Sequence, residues 1–444
     1  MKYKEYRRSM LQFFLLSFIG LTVLIGPISS HLFATELYVP EPEFVLEGEA
    51  AAPWEFIERH KDPHPRFPWE PFLPKLRQFY PNVVKAFETK EPHSRLFLLH
   101  AMPGWDEATK PVPVLLLPGA NDDASRRYAY PLDHTHPDHL TQKGLAFHLA
   151  EEGFAVFGIT FSHFHGCNVH QGEQVANAIT RIKKLLGREK DDDFKVDLVT
   201  YSKGAMAARS YVQSANDFLD LNYLTDFRGD VRRVVFQVGP IGGLDTMFRY
   251  YMYNMFCQSK DVPAPVAVSS QVLYGMWQES EELYIHSGYW PGQLQMVNDT
   301  REVGVAYGPL SWTADANMTM RAVRDGGSTF FVKAAGLEAA RQAGGCLIER
   351  LNERGFPKEV SAALVAGNHP VIYHEKIHTW KVPMGAELSD TSDGLVFLES
   401  ATYKEGLTAQ GADVVSVKVF PYNHVECSRE MDVFEHVSKV LARK

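Results

Sequence analysis

Cysteine is scarce in this chain, with four in 444 residues. Cys167, Cys257, Cys346 and Cys427 lie too far apart for a zinc cluster, and no CxxC pair occurs. Disulfides stay open in an oxidising compartment, since any pairing of the four is allowed, but a large core also holds free thiols. Long basic tracts are missing as well. With a net charge of −9 and its basic residues dispersed, the chain lacks the electrostatic footprint of a nucleic-acid binder. No internal repeat and no low-complexity tract appears, which sets aside solenoids and disordered polymers. What remains is an ordinary globular composition. Its length suits one large domain with insertions, or two domains.

The N-terminus departs from that composition. A short basic segment, "MKYKEYRRS", precedes the apolar "MLQFFLLSFIGLTVLIGPISSHLFATELY". The pair has the n-region and h-region of a secretory signal, with cleavage expected after Ala34. The apolar run also approaches the length of a membrane span, so an uncleaved anchor is the alternative. Either way the bulk of the protein is expected outside the cytoplasm, secreted or periplasmic, or held at a membrane by its N-terminus.

Residues 35–110 are rich in proline, aromatics and charges and suggest a surface extension ending in a strand near "SRLFLLHAM". A regular alternation follows. Short apolar runs at 112–119, 155–161, 196–201 and 231–239 are separated by amphipathic stretches at 139–153, 171–187 and from about Lys203. Strands alternating with helices imply βαβ units, and unbroken apolar runs are what strands buried on both faces require. The expected fold class is α/β, a mostly parallel central sheet with helices on both faces. The pattern lapses over about 240–358, which ends in a helix over 332–355 and suggests a cap or lid insertion. The sheet resumes at 360–367 and 413–420. The expected domains are 1–34 as signal or anchor, 35–110 as extension and 111–444 as the main domain.

The stretch "VDLVTYSKGAMAARSYV" (196–212) places Ser202 between a strand and a helix. A sharp turn there needs little bulk two residues to either side, where Thr200 and Gly204 stand. Such a turn lifts Ser202 out of the carboxyl end of the sheet, where ligands bind in open α/β sheets. It also aims the Lys203 N–H at an oxyanion formed beside Ser202. The competing interpretation is an ordinary turn with serine as a helix cap. A nucleophilic serine needs a base, and the base an orienting acid, later in the chain. His424 follows the last strand-like run, in "PYNHVECS". The preceding "LSDTSDGLVFLESATY" offers Asp390 and Asp393, of which Asp393 fits better because Asp-Gly makes a tight turn. His369, His374 and His378 precede the acid and fall in the wrong order. The turn after "VPVLLLPG" supplies a second oxyanion donor, the N–H of Ala120.

These segments resemble the α/β-hydrolase fold. They are most similar to extracellular bacterial class 2 lipases and their relatives, including lipase-B-like enzymes and polyester depolymerases. "GCN" (166–168) matches a Gly-x-Asn segment of that group, and "SDGLVFLESA" with "NHVECS" matches its acid and histidine loops. The resemblance covers roughly 110–240 and 360–435. Four positions depart from it: Pro118 stands where His is usual, Tyr201 where His or Trp is, Ala205 replaces a frequent glycine, and Lys203 a Met, Leu or Gln. None removes a catalytic atom.

The expectation is a serine hydrolase of carboxylic esters, lipase or esterase in type, acting on an ester or lipid substrate without a cofactor. A polyester depolymerase, an amidase and an acyltransferase would use the same residues, and a non-catalytic binding protein of the same fold is a further alternative. Aromatic and methionine-rich stretches at 247–256 and 273–296 would line an acyl pocket or lid at a lipid–water interface, or simply build the insertion's core. Histidines in "DHTHPDHL" (133–140) and "SHFHGCNVH" (162–170) could bind zinc, but no ligand set has recognisable spacing and no metal is assigned. His163 and His165 serve equally as rim residues. Oligomeric state is not legible.

Overall fold

A computed structural model describes residues 41–70, 79–120, 122–130, 143–245, 291–306, 319–322, 329–333, 337–373, 381–383 and 391–443. The chain divides into two compact units, Met1–Tyr38 and Val39–Lys444, and every described residue lies in the second. The signal-like segment, the 133–140 histidines, Asp390, His374, His378 and most of the aromatic insertion therefore lie outside the described residues. No helix among the described residues is long and apolar enough to cross a membrane.

Nine strands form one sheet. In chain order its members are β1 (Phe44–Glu47), β2 (Phe56–Lys61), β3 (Leu96–Ala101), β4 (Val114–Leu117), β5 (Val156–Phe161), β6 (Val196–Tyr201), β7 (Val231–Gln237), β10 (Ser361–Gly367) and β13 (Val414–Phe420). Two small antiparallel pairs stand apart from it, β8 (Thr319–Ala322) with β9 (Thr329–Lys333), and β11 (Val371–Tyr373) with β12 (Lys381–Pro383). The spatial order in the large sheet is β1-β2-β3-β5-β4-β6-β7-β10-β13. Strands β1 to β3 pair antiparallel, β3 meets β5 antiparallel, and every pairing from β5 to β13 is parallel.

Each apolar run became a strand because both of its faces find a helical layer. Successive side chains on a strand point to opposite faces. On β4, Leu115 and Leu117 enter one core while Val114 and Leu116 enter the other, and β6, β7 and β10 divide in the same way. One face is covered by α3 (Asn168–Leu185), α4 (Gly204–Val212) and α6 (Leu347–Arg354). The other carries α1 (Pro81–Phe87), α2 (Leu145–Glu151) and α7 (Met431–Leu441). The helix expected over 332–355 is two helices, α5 (Leu337–Ala343) and α6, interrupted where Gly345 takes φ 73°.

The sequence marks one strand before residue 110, and the structure has three. β2, with the sequence FIERHK, buries Glu58 and His60 beside Ile57, so its periodicity is hidden by charge. Those charges are matched from α3. Arg181 donates to both Glu58 oxygens, Nε at 2.9 Å and Nη2 at 2.6 Å, and Asn177 donates to Asp62 at 2.8 Å. A two-pronged arginine–carboxylate contact of this kind fixes orientation as well as distance. The extension is thereby built into the sheet and its helical layer.

Candidate active site

β4 lies between β5 and β6, so the crossover through α2 runs one way and those through α3 and α4 run the other. Such a reversal opens a crevice at the carboxyl ends of the strands. Ser202 stands there, at the end of β6. It is half-buried, with a left-handed φ of 50°, and its N–H donates to the Gln237 carbonyl at 2.9 Å. A non-glycine residue with this φ is uncommon and costs of order 1–3 kcal/mol, so surrounding structure must hold it. Two glycines allow the hold. A Cβ on Gly204 would stand 2.6 Å from the Leu117 carbonyl oxygen, and one on Gly119 would stand 2.9 Å from the Ser202 Cβ. The end of β4 and the start of α4 thus press together around the serine, and the Pro118–Gly119–Ala120 turn lies beside it.

His424 and Asp393 are brought together. Asp393 Oδ2 lies 2.7 Å from His424 Nδ1, and the His424 N–H donates to the Asp393 carbonyl at 2.9 Å. The other carboxylate oxygen accepts the N–H groups of Leu395 at 2.9 Å and Val396 at 2.7 Å. Gly394, at φ 95°, makes the turn that points those amides back. Both side chains are buried. The histidine loop is set by Asn423, whose Oδ1 accepts from Val425 at 3.0 Å and Glu426 at 2.9 Å. His424 is joined to the serine turn through Tyr201. The rings sit 5.1 Å apart, and the Tyr201 hydroxyl donates to the His424 carbonyl at 3.0 Å. Ser202 Oγ and His424 Nε2 share no hydrogen bond, and such contacts commonly tighten only when substrate binds.

Sequence reasoning missed the clamp on this assembly. Arg127 stacks its guanidinium 3.9 Å above the Tyr201 ring, pairs with Asp122 through Nε at 2.7 Å, and donates to Ser428. It couples the loop after Ala120, the residue before Ser202 and the loop after His424. No spacing in the sequence announces this, because the three partners come from three distant segments.

The Lys203 side chain now has a place. It is buried, and its Nζ donates to Gln171 Oε1 at 2.5 Å, on the side of α3. Glu70, from the extension, approaches the same pocket and accepts the Cys167 N–H at 2.8 Å. Burial pushes the Lys203 amine down to about 7, against the pull of Glu70. Burial, with Cys167 adding to it, pushes the Glu70 carboxyl up to about 7. His165 Nδ1 accepts from Gln293 Nε2 at 2.7 Å, and Asn168 Nδ2 donates to the Gly292 carbonyl at 2.9 Å, so the "SHFHGCNVH" segment seats the returning end of the insertion. Among the described cysteines, Cys167, Cys346 and Cys427 carry free thiols.

The strand order, with β4 between β5 and β6, antiparallel strands at one edge and a sharp serine turn after β6, is decisive. The chain has an α/β-hydrolase fold. Solved structures with a similar fold include the Bacillus licheniformis lipase BlEst2 in mature form, at 15% identity over 75% of this chain and 96% of that one, TM-score 0.38. A carboxyl esterase from Bacillus coagulans, in complex with glycerol, matches at 13% identity over 78% and 93%, TM-score 0.36. Carboxylesterase CesB from Bacillus subtilis matches at 11% identity over 78% and 88%, TM-score 0.32. No protein-family model and no curated protein sequence matches the chain. The hydrolase fold rests on strand order and connection rather than on these distant likenesses.

Proposed function

We propose that the protein is a serine hydrolase that cleaves carboxylic esters, lipase or esterase in type. Ser202 Oγ attacks the ester carbonyl while His424 Nε2 takes its proton. Asp393 holds the imidazole through Nδ1 and balances the charge of the imidazolium. The backbone N–H groups of Ala120 and Lys203 stabilise the oxyanion. The imidazolium then gives its proton to the leaving alcohol, and an acyl-Ser202 ester remains. Water, deprotonated by His424, attacks that ester, and Ser202 recovers its proton as the acid leaves.

The observation that carries this reading is the hydrogen-bonded Asp393–His424 pair packed on Tyr201, one residue before a serine held at φ 50°. The rival role of a helix cap falls to Lys203 rather than Ser202, and no side-chain cap hydrogen bond forms at that end of α4. The basic and apolar N-terminal segments support an extracytoplasmic location, with substrate met in solution or at a lipid surface.

A fluorophosphonate probe and nitrophenyl esters of short and long chain test the proposal on the purified protein. Wild type is expected to label and to hydrolyse, and Ser202→Ala to do neither. A wild type that neither labels nor turns over any ester sinks the reading, and equal turnover by Ser202→Ala moves the nucleophile elsewhere.

A further inference from the structure

We propose that Glu70, Cys167 and His170 form a binding site for a divalent transition-metal ion, zinc by its donor set, behind the serine turn. One donor atom from each residue lies within 4.8 Å of the other two, and all three residues are buried. They come from different places. Glu70 belongs to the extension, Cys167 precedes α3, and His170 stands in the first turn of that helix. Sulfur, nitrogen and oxygen together suit zinc, which takes thiolate, imidazole and carboxylate at bond lengths of about 2.0–2.3 Å. Ligands on a tetrahedral ion at those bond lengths stand roughly 3.3–3.6 Å apart, so no separation has to shorten by more than about 1.5 Å around the ion.

The hydrogen bonding around His170 fixes which nitrogen is available. The Tyr223 hydroxyl donates its hydrogen to the Arg66 carbonyl at 3.2 Å. It must therefore accept from His170 Nε2, which lies 3.0 Å away, and so Nε2 carries the ring proton. Nδ1 is left with a bare lone pair, buried and without a partner. A ligating histidine ordinarily has its other ring nitrogen donating in this manner. The thiol is prepared in the same sense, because Gln295 Nε2 donates to Cys167 Sγ at 3.0 Å. Glu70 uses Oε1 to accept the Cys167 N–H, which leaves Oε2 to coordinate. Gly166 makes room for that oxygen, since a Cβ there would stand 2.7 Å from it.

Binding displaces the thiol proton, and the Glu70 proton where the carboxyl carries one, and releases them to solvent. Carboxylate and thiolate then cancel the two charges of the ion, so the neighbouring Lys203 amine faces a neutral centre. A fourth position remains for water. Because Gln295 lies in the segment returning from the insertion, a bound ion would tie extension, α3 and insertion together. This inference stands apart from the ester-cleaving reading and does not depend on it.

The test uses the full chain, stripped with a chelator and titrated with zinc or cobalt(II). Wild type is expected to retain about one zinc per chain after dialysis. Its cobalt form should show a near-ultraviolet thiolate-to-metal charge-transfer band. Cys167→Ser should lose the band, and His170→Gln should lose most of the bound metal. Should either variant fail to fold, the triple variant Cys257→Ser, Cys346→Ser, Cys427→Ala keeps Cys167 as its only thiol and should keep the band. Wild type that binds no zinc above the buffer blank overturns the proposal. So does a band that survives Cys167→Ser or vanishes in the triple variant.

Discussion

Two regions of the molecule bury histidine in opposite ways. In the C-terminal loops, His424 lies against a carboxylate that is itself fixed by two amides and a glycine turn. In the region built by the extension and α3, His60, His100 and His170 each keep Nδ1 buried with no partner. The first arrangement steadies the ring from Nδ1, as the proposed proton transfer at Nε2 requires. The second biases His100 and His170 toward the neutral form, because burial lowers both of their pKa values, while His60 meets the Glu58 carboxylate through Nε2 at 2.9 Å. Exposure does not separate the two groups, since all four rings are buried. The partner on Nδ1 does.

The strongest way to break this contrast is to make His424 resemble the others. Asp393→Asn keeps the shape and removes the charge, and kcat for ester hydrolysis should fall roughly 10⁴-fold. Loss of less than about tenfold, measured at saturating nitrophenyl ester, would place the orienting acid elsewhere.

Next in size is the clamp. Arg127→Met leaves Asp122 buried without its partner and should lower stability by about 3–5 kcal/mol in urea unfolding. Adding Asp122→Leu should recover much of that loss, because the stranded charge goes with it. An unrecovered double variant would mean that stacking on Tyr201, rather than the ion pair, dominates.

The neutral histidines can be read by acid. His100 has its pKa pushed down to about 3 by burial, from an ordinary value of 6.5. Between those values the unfolded chain binds a proton that the folded chain refuses. Stability therefore falls as pH drops from about 6.5 toward about 3, by up to about 1.4 kcal/mol per pH unit for one group. Asp62 opposes this, because burial raises it to about 6 and the folded state keeps its proton. His100→Gln should flatten the acid slope of the urea midpoint relative to wild type and leave ester turnover at neutral pH in place. An unchanged slope would show that His100 is not held neutral.

The smallest effect is expected at the join between serine turn and histidine loop. Tyr201→Phe deletes one hydrogen bond to the His424 carbonyl and should cost about 1 kcal/mol of stability. The stacked ring remains, so a loss of several kcal/mol would assign the hydroxyl a larger part.

Much of the hydrolase sheet was legible because its parallel strands are apolar on both faces. "VDLVTY", "VRRVVFQ" and "SAALVAG" became β6, β7 and β10 nearly to the residue. β2 was hidden because its inward positions are Glu58 and His60, matched by Arg181 from a helix more than a hundred residues away. The placement of β4 between β5 and β6 was not readable from composition either, since it depends on which way each crossover turns. At the candidate site, chain order and the Asp-Gly turn were enough to bring Asp393 and His424 forward. Glu70 was not, as nothing local to "RFPWEPF" marks its carboxylate for burial against α3.

The left-handed backbone at Ser202 has a consequence for how this protein would evolve in the laboratory. Ser202→Gly would relax the turn and should raise stability by about 1 kcal/mol while removing the hydroxyl. A library screened for heat resistance alone would therefore enrich an inert sequence at that position. Selection for durability has to be coupled to a turnover assay at every round, or the proposed nucleophile will be among the first residues to be lost.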